Sequence, residues 1–311
     1  MAISYTQNLE DYHLSLAFAG EEQGFYLDIG AGHPIADNVT FWFYERGWSG
    51  IVVEPQTRLA SMYAHVRSRD VCVSCLVGRE VGEADFFQFR RLHGLSTMVR
   101  TFADSATKFG ADYEISRVPV TTLKQLCAQH GVDQIDFLKI DVEGAEGDVL
   151  AGNDWRRYRP KVIVAEAVAL EDGRSTWESW EPALLAEGYE FTLFDTLNRF
   201  YVAKEQSQIL ARMPRVRAPW NSATHLYEIG KAPENPLHPD HQLANDLVKA
   251  FWALLPTLDA TSIATLIAHA RDLPDGAQAP LMAEVQTERF KAALGRIACS
   301  YDGGQVASDG G

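Results

Sequence analysis

Four carboxylates stand where apolar runs give way to turns: Asp28, Glu54, Asp141 and Glu166. Asp28 lies in Leu27-Asp28-Ile29-Gly30-Ala31-Gly32, and Glu54 opens Glu54-Pro55. Glycines at 30 and 32 let a chain turn tightly at a strand end and let a ligand approach the backbone. An acid at 28 is expected to point into that crevice, where it opposes an anion and welcomes a cation. A carboxylate at 54, ending the next strand, is expected to accept both hydroxyls of a ribose.

A nucleoside with a cationic tail satisfies both acids. S-adenosylmethionine, with its ammonium and sulfonium groups, is the cofactor this chemistry suggests, held by Asp28, Gly30, Gly32, Glu54 and Pro55. The rival is a pyrophosphate-bearing dinucleotide. Its G-x-G-x-x-G pattern, begun at Gly30, would place the last glycine at Ile35. Leu76 and Val77, at the end of a third strand, either pack against an adenine or belong to the core. Asn38, at a helix start, either caps that helix or reaches the methionine moiety. His33 either touches the cofactor carboxylate or shapes the loop.

The elements that must position these residues alternate. Strands are expected at Phe25 to Ile29, Gly50 to Val53, Val71 to Val77, Ile135 to Ile140 and Lys161 to Ala165, with a short one at Val118 to Val120. Helices are expected at Asn38 to Arg46, Leu59 to Arg67 and Thr122 to Gln129. Such alternation implies right-handed βαβ units in a parallel sheet. Tyr189 to Phe194 and Arg199 to Ala203 are joined only by residues 195–198, too few for a parallel crossover, so they form an antiparallel hairpin. The fold class is therefore α/β: a Rossmann-like class I methyltransferase sheet, mostly parallel, with an antiparallel terminal hairpin and a helical C-terminal appendage. Residues 1–205 are expected to form the catalytic domain and residues 206–311 a mostly helical extension, a linker to a missing domain being one reading of it. Leu243, Leu247, Val248, Phe251 and Leu255 recur at helical spacing there. Asp302 to Gly311 is Gly-rich and expected to be loose. It also reads as though the natural chain continues past Gly311.

Bulk properties narrow the partners. With 28 basic and 42 acidic residues in 311, the net charge is -14. Such a surface repels phosphodiester backbones, so no nucleic-acid partner is expected. Cys72 and Cys75 form a C-x-x-C inside an apolar run without a second pair, and read as core residues. No signal peptide or membrane span is legible, which leads to a cytoplasmic expectation.

Several stretches are distinctive together: the N-terminal Ser4 to Asp11; DIGAGHP within Phe25 to Pro34; FYERGWSGIVVEP from Phe43 to Pro55; Gly94-Leu95-Ser96-Thr97; DFLKIDVEGAE from Asp136 to Glu146; and NRFYV from Asn198 to Val202. On these the chain resembles the FkbM family of methyltransferases over about its first 205 residues. The resemblance implies S-adenosylmethionine-dependent O-methylation of a hydroxyl on a sugar, a glycan or a related small polar acceptor. It also implies that the segment holding Tyr5 and Gln7 lies across the cofactor pocket. Relatives fused to glycosyltransferase domains make such a fusion, or a homo-oligomer, the partners to consider. A nicotinamide-dependent oxidoreductase and a non-catalytic assembly module with the same fold are the alternatives.

An alcohol is a poor nucleophile, so methyl transfer needs a base or a metal ion. In one reading Asp141 is the general base, also beside the cofactor, and Glu166 orients the acceptor. In the other the two hold a divalent cation with a third ligand, His93 or His225. The first is preferred, and no metal is committed. His93, with Ser96 and Thr97, is expected to help recognise the acceptor. Lys139, two residues before Asp141, is expected to sit in a structural ion pair, and Glu146 to charge a helix start. Glu143 suits either capping or chemistry.

Overall fold

The computed structural model describes residues 2–89, 92–110, 112–169, 173–271, 273, 278–299 and 301. The strands in chain order are β1 (Ile3–Ser4), β2 (Phe25–Ile29), β3 (Ser49–Val53), β4 (Val71–Val73), β5 (Leu76–Val77), β6 (Gly82–Phe89), β7 (Tyr113–Thr121), β8 (Phe137–Ile140), β9 (Val162–Glu166), β10 (Tyr189–Phe194), β11 (Asn198–Ala203) and β12 (Thr224–His225). The main sheet runs β10-β11-β9-β8-β2-β3-β4. β9, β8, β2, β3 and β4 pair in parallel, and β11 returns antiparallel between β9 and β10. This is the Rossmann-like order with a reversed terminal hairpin, as the short 195–198 link requires.

Alternation along each strand builds two cores. Leu27, Ile29, Ile51, Val53, Leu138 and Ile140 pack on one face. Tyr26, Val52, Phe137, Val162 and Val164 pack on the other, against Phe43 and Trp48 from around the helix Phe41–Glu45. Trp42, Phe43, Tyr44 and Trp48 are buried packing residues.

Three expected elements differ in the structure. The run from Val71 to Val77 breaks at Ser74, and only β4 joins the main sheet; β5 pairs with β7 instead. The short strand expected at Val118 to Val120 is the end of the nine-residue β7, which pairs along its length with β6. The sequence reading missed β6, whose exposed start and adjacent buried Phe86 and Phe87 leave no alternation. The helix expected from Asn38 begins at Phe41, because the Asn38 side chain accepts a hydrogen bond from the Phe41 amide and holds the preceding turn.

The chain divides into two compact units, Met1–Leu226 and Tyr227–Gly311. Residues 206–226, assigned by sequence to the extension, stay with the first unit: Ile209 and Met213 enter its core, and β12 pairs in parallel with β1. The second unit contains the helices His241–Leu254, Ala260–Ala270, Gln278–Val285 and Glu288–Ala298. Its core gathers Leu255, Ile263, Ala264, Ala268, Leu281 and Val285. Leu243, Leu247, Val248 and Phe251, which carried the helical periodicity, are exposed. The expected loose end at Asp302 to Gly311 lies outside the described residues. No helix among the described residues is long and apolar enough to cross a membrane.

Candidate active site

A cavity of about 350 Å³ opens beyond the carboxyl ends of β2, β3, β8 and β9, where ligands of open α/β sheets bind. One side is formed by Gly30, Gly32, Glu54, Pro55, Leu76 and Val77, and the other by Asp141, Glu143 and Glu166. Gln7 and His93 also line it.

The glycine turn works in two ways. Gly30 has φ +75°, and a Cβ there would lie 1.7 Å from the Asp141 carbonyl oxygen, so this glycine lets two strand ends touch. Gly32 has φ +60° and open space where its side chain would be. Its amide donates to Glu54 Oε2 at 2.8 Å, while the Gln56 amide donates to Oε1 at 2.7 Å. Both oxygens of Glu54 are thereby fixed. Burial nevertheless raises its carboxyl to about 7, against the lowering effect of those two amides.

Two expected contact residues do not reach the cavity. Asp28 is 1% exposed and lies beneath the turn. Strand register sets it directly opposite Lys139, whose Nζ stands 3.4 Å from Asp28 Oδ1 and 3.4 Å from Asp141 Oδ2. Thr40 donates to Asp28 Oδ2 at 2.9 Å. The expectation that Asp28 points into the crevice is corrected: its side chain projects from the sheet face, under the chain that enters the next helix. Asn38 is equally buried; it donates to the Ala31 carbonyl and accepts from Arg67 and Phe41. Both residues shape the turn from below. Arg67 completes this layer, fully buried, paired with Asp70 at 2.6 Å and donating to Thr40, Tyr26 and Pro34.

Lys139 also donates to the Gly30 carbonyl at 2.7 Å. Burial works to lower its pKa, but Asp28 and Asp141 outweigh that and hold it above the ordinary lysine value. Its structural pairing therefore ties the turn to the end of β8.

Asp141, Glu143 and Glu166 offer oxygens that all lie within 4.8 Å of one another. Glu143 is the third member that sequence reasoning left undecided; its backbone is left-handed, with φ +54°. Non-glycine residues in that region cluster at functional sites. Glu146 holds the loop, accepting from the Val142 and Gly144 amides at 3.2 and 3.0 Å. Burial pushes Glu166 well above the usual carboxylate range, and the neighbouring Asp141, Glu143 and Glu146 push the same way.

The histidines part company. His225 is buried and stacked on Trp220 at 3.5 Å between ring centroids, away from the cavity lining, so it is not the third partner of Asp141 and Glu166. His93 is exposed on the cavity rim, and its carbonyl is held by Gln56 Nε2 at 3.1 Å. His33 lines the cavity too, with Nδ1 accepting from the Ile35 and Ala36 amides, and so shapes the loop. The hydroxyls near His93 are spoken for: Ser96 accepts from the Phe89 amide, and Thr97 donates to the Glu143 carbonyl. Cys75 also lines the cavity, but burial pushes its thiol up to about 11, which makes it a poor nucleophile at neutral pH.

Gln7 reaches the cavity because its neighbours are anchored. Tyr5 donates to Glu45 at 2.6 Å, and its carbonyl accepts from the Asn38 amide. Gln56 and Asp37, also in the lining, were missed; no motif marks either, although Gln56 follows the Glu54-Pro55 signal directly.

The sheet order, the glycine turn and the acids at neighbouring strand ends define a methyltransferase architecture. Residues 28–191, more than half of the 311-residue chain, match the family model described as the methyltransferase FkbM domain, and the chain belongs to the FkbM methyltransferase family. A comparison with curated proteins found no match.

Proposed function

We propose that the protein is an S-adenosylmethionine-dependent O-methyltransferase acting on a hydroxyl of a sugar, a glycan or a related small polar acceptor. The observation that carries this reading is the chemistry of one cavity with acids at both ends. Among the described residues no arginine lines it, and its lysine is already paired with two carboxylates. That donor set suits a cationic nucleoside and gives a pyrophosphate little to hold, which counts against a nicotinamide dinucleotide.

Glu54, with each oxygen fixed by a backbone amide, keeps lone pairs for two ribose hydroxyls. Leu76 and Val77 supply an apolar wall for an adenine. Gly32 leaves room beside them for the ligand. Gln7 closes the rim. When bound, S-adenosylmethionine supplies a methyl whose bond to sulfur breaks as the bond to oxygen forms, the electron pair staying on sulfur. Asp141 takes the hydroxyl proton, held in position by Lys139. Glu166 orients the acceptor, and His93 guards its entrance. Alignment within a dry cavity supplies much of the rate.

The test is calorimetry with S-adenosylhomocysteine, followed by transfer from labelled S-adenosylmethionine to a glycan fraction and mass analysis of the product. Binding that weakens at least about tenfold in Glu54→Gln, as expected for a lost bidentate contact, together with a methyl ether product, supports the reading. Tight binding of a nicotinamide dinucleotide, or label on nitrogen or carbon, would overturn it.

A further inference from the structure

We propose that Asp141, Glu143 and Glu166 form a binding site for one divalent cation of the hard, oxygen-preferring class, with Mg²⁺, Mn²⁺ or Ca²⁺ as the candidate ions. The proposal stands on side-chain geometry and goes beyond the cofactor reading.

Three features converge. The first is spacing. The three oxygens lie within 4.8 Å of one another. Ligand oxygens at about 2.1 Å from Mg²⁺ or about 2.4 Å from Ca²⁺ stand at most about 4.2 to 4.8 Å apart across the ion. Oxygens this close can converge on one such ion, Ca²⁺ needing the least movement.

The second feature is Glu166. It is 4% exposed, lines the cavity and faces the other two carboxylates. Among the described residues none donates a hydrogen bond to it or forms an ion pair with it. A buried carboxylate without a partner is costly, and β9 ends by aiming this one into the cavity. Its neighbour across the sheet, Asn198, directs its amide to Glu10 at 2.8 Å instead.

The third feature is local charge. Lys139 is shared between Asp28 and Asp141 while donating to the Gly30 carbonyl. Its single charge is thus divided between two other carboxylates before Glu166 is counted. An all-oxygen donor set selects a hard ion over zinc or copper. The carboxylates supply three ligands, and the open cavity leaves positions for water or an acceptor hydroxyl. A cation there lowers the proton affinity of an oxygen bound to it; Asp141 and Glu166 then act as its ligands, in place of the base and orienting roles proposed for them.

The experiment uses the full chain, stripped with EDTA, and reads Mn²⁺ binding by electron paramagnetic resonance and calorimetry, with MgCl₂ and CaCl₂ as competitors. One Mn²⁺ per chain is expected. Glu166→Gln and Glu143→Gln should each weaken it by at least the roughly 10–100-fold seen when only outer-shell groups of a metal site are changed. S-adenosylhomocysteine binding to the same variants reports that the fold is intact. Absence of Mn²⁺ binding to the wild type, or Mn²⁺ affinity unchanged in the Glu143→Gln/Glu166→Gln double variant, would overturn the proposal. The two readings fail separately: Mn²⁺ binding without S-adenosylhomocysteine binding sinks the cofactor assignment alone, and the reverse sinks the cation site alone.

Discussion

Two buried polar regions lie against the same cavity, and they are built in opposite ways. Beneath the glycine turn, Arg67 pairs with Asp70 and donates to Asn38, Thr40 and Tyr26, while Thr40 and Lys139 serve Asp28. Charges there are paired within the fold, and even Asp28 Oδ1, which accepts no hydrogen bond, faces the Lys139 ammonium at 3.4 Å. At the ends of β8 and β9, like charges gather, and among the described residues none donates to Glu166. Buried polar groups nearly always have partners. A region paired within the fold keeps a shape; a carboxylate left without a donor is open to a ligand.

Mutations can break this contrast. The largest effect is expected from Arg67→Ala, which strands Asp70 and removes donors from Asn38 and Thr40. Removing one member of a buried pair costs about 3–5 kcal/mol, measurable by urea unfolding. A loss below about 1 kcal/mol would mean the layer behaves like a solvated surface. Asp28→Ala should cost about 2–3 kcal/mol, because Thr40 and Lys139 each lose a buried partner. Cofactor affinity should fall only as far as the turn loosens; a variant that is fully stable yet cannot bind S-adenosylhomocysteine would return Asp28 to direct contact.

Glu54 sharpens the comparison through pH. Its carboxyl lies at about 7 against an ordinary 4.5, so the folded chain holds this proton more tightly than the unfolded one. That contribution to stability is complete below the ordinary value and is lost as pH rises through 7. At 1.36 kcal/mol per unit the change is about 3 kcal/mol. Glu54→Gln should flatten the stability profile over this window, and an unaltered profile in thermal unfolding would refute the assignment. The smallest stability effect belongs to Glu166→Gln. In EDTA it should leave stability within about 1 kcal/mol of wild type, or raise it, since a repelling charge disappears; methyl transfer should fall about 100-fold, the trade-off typical of functional sites. A large destabilisation would place Glu166 with the matched region.

The sequence disclosed the parallel core, because strands buried on both faces read as continuous apolar runs. It disclosed the hairpin through the brevity of residues 195–198. Strand ends were legible too, which is why Gly30, Gly32, Glu54, Leu76, Val77, Asp141 and Glu166 meet at one cavity. Side-chain direction was not. Asp28 precedes the glycine turn in the manner of a contact residue, yet the parity of β2 and β8 sets it against Lys139. Glu143 owes its place to a left-handed backbone that no residue type announces, and Thr97 serves the carbonyl of Glu143, a segment distant in sequence.

The contact between Gly30 and the Asp141 carbonyl has a consequence for how such a protein can diversify. Any side chain at 30 would wedge apart the ends of β2 and β8, which on the proposed reading hold the donor and act on the acceptor. The two halves are fused into one casting and cannot be retuned separately. On the proposed reading, new acceptor preferences are then written at the cavity margins, the 92–97 loop and the N-terminal segment that carries Gln7, while the casting is inherited whole.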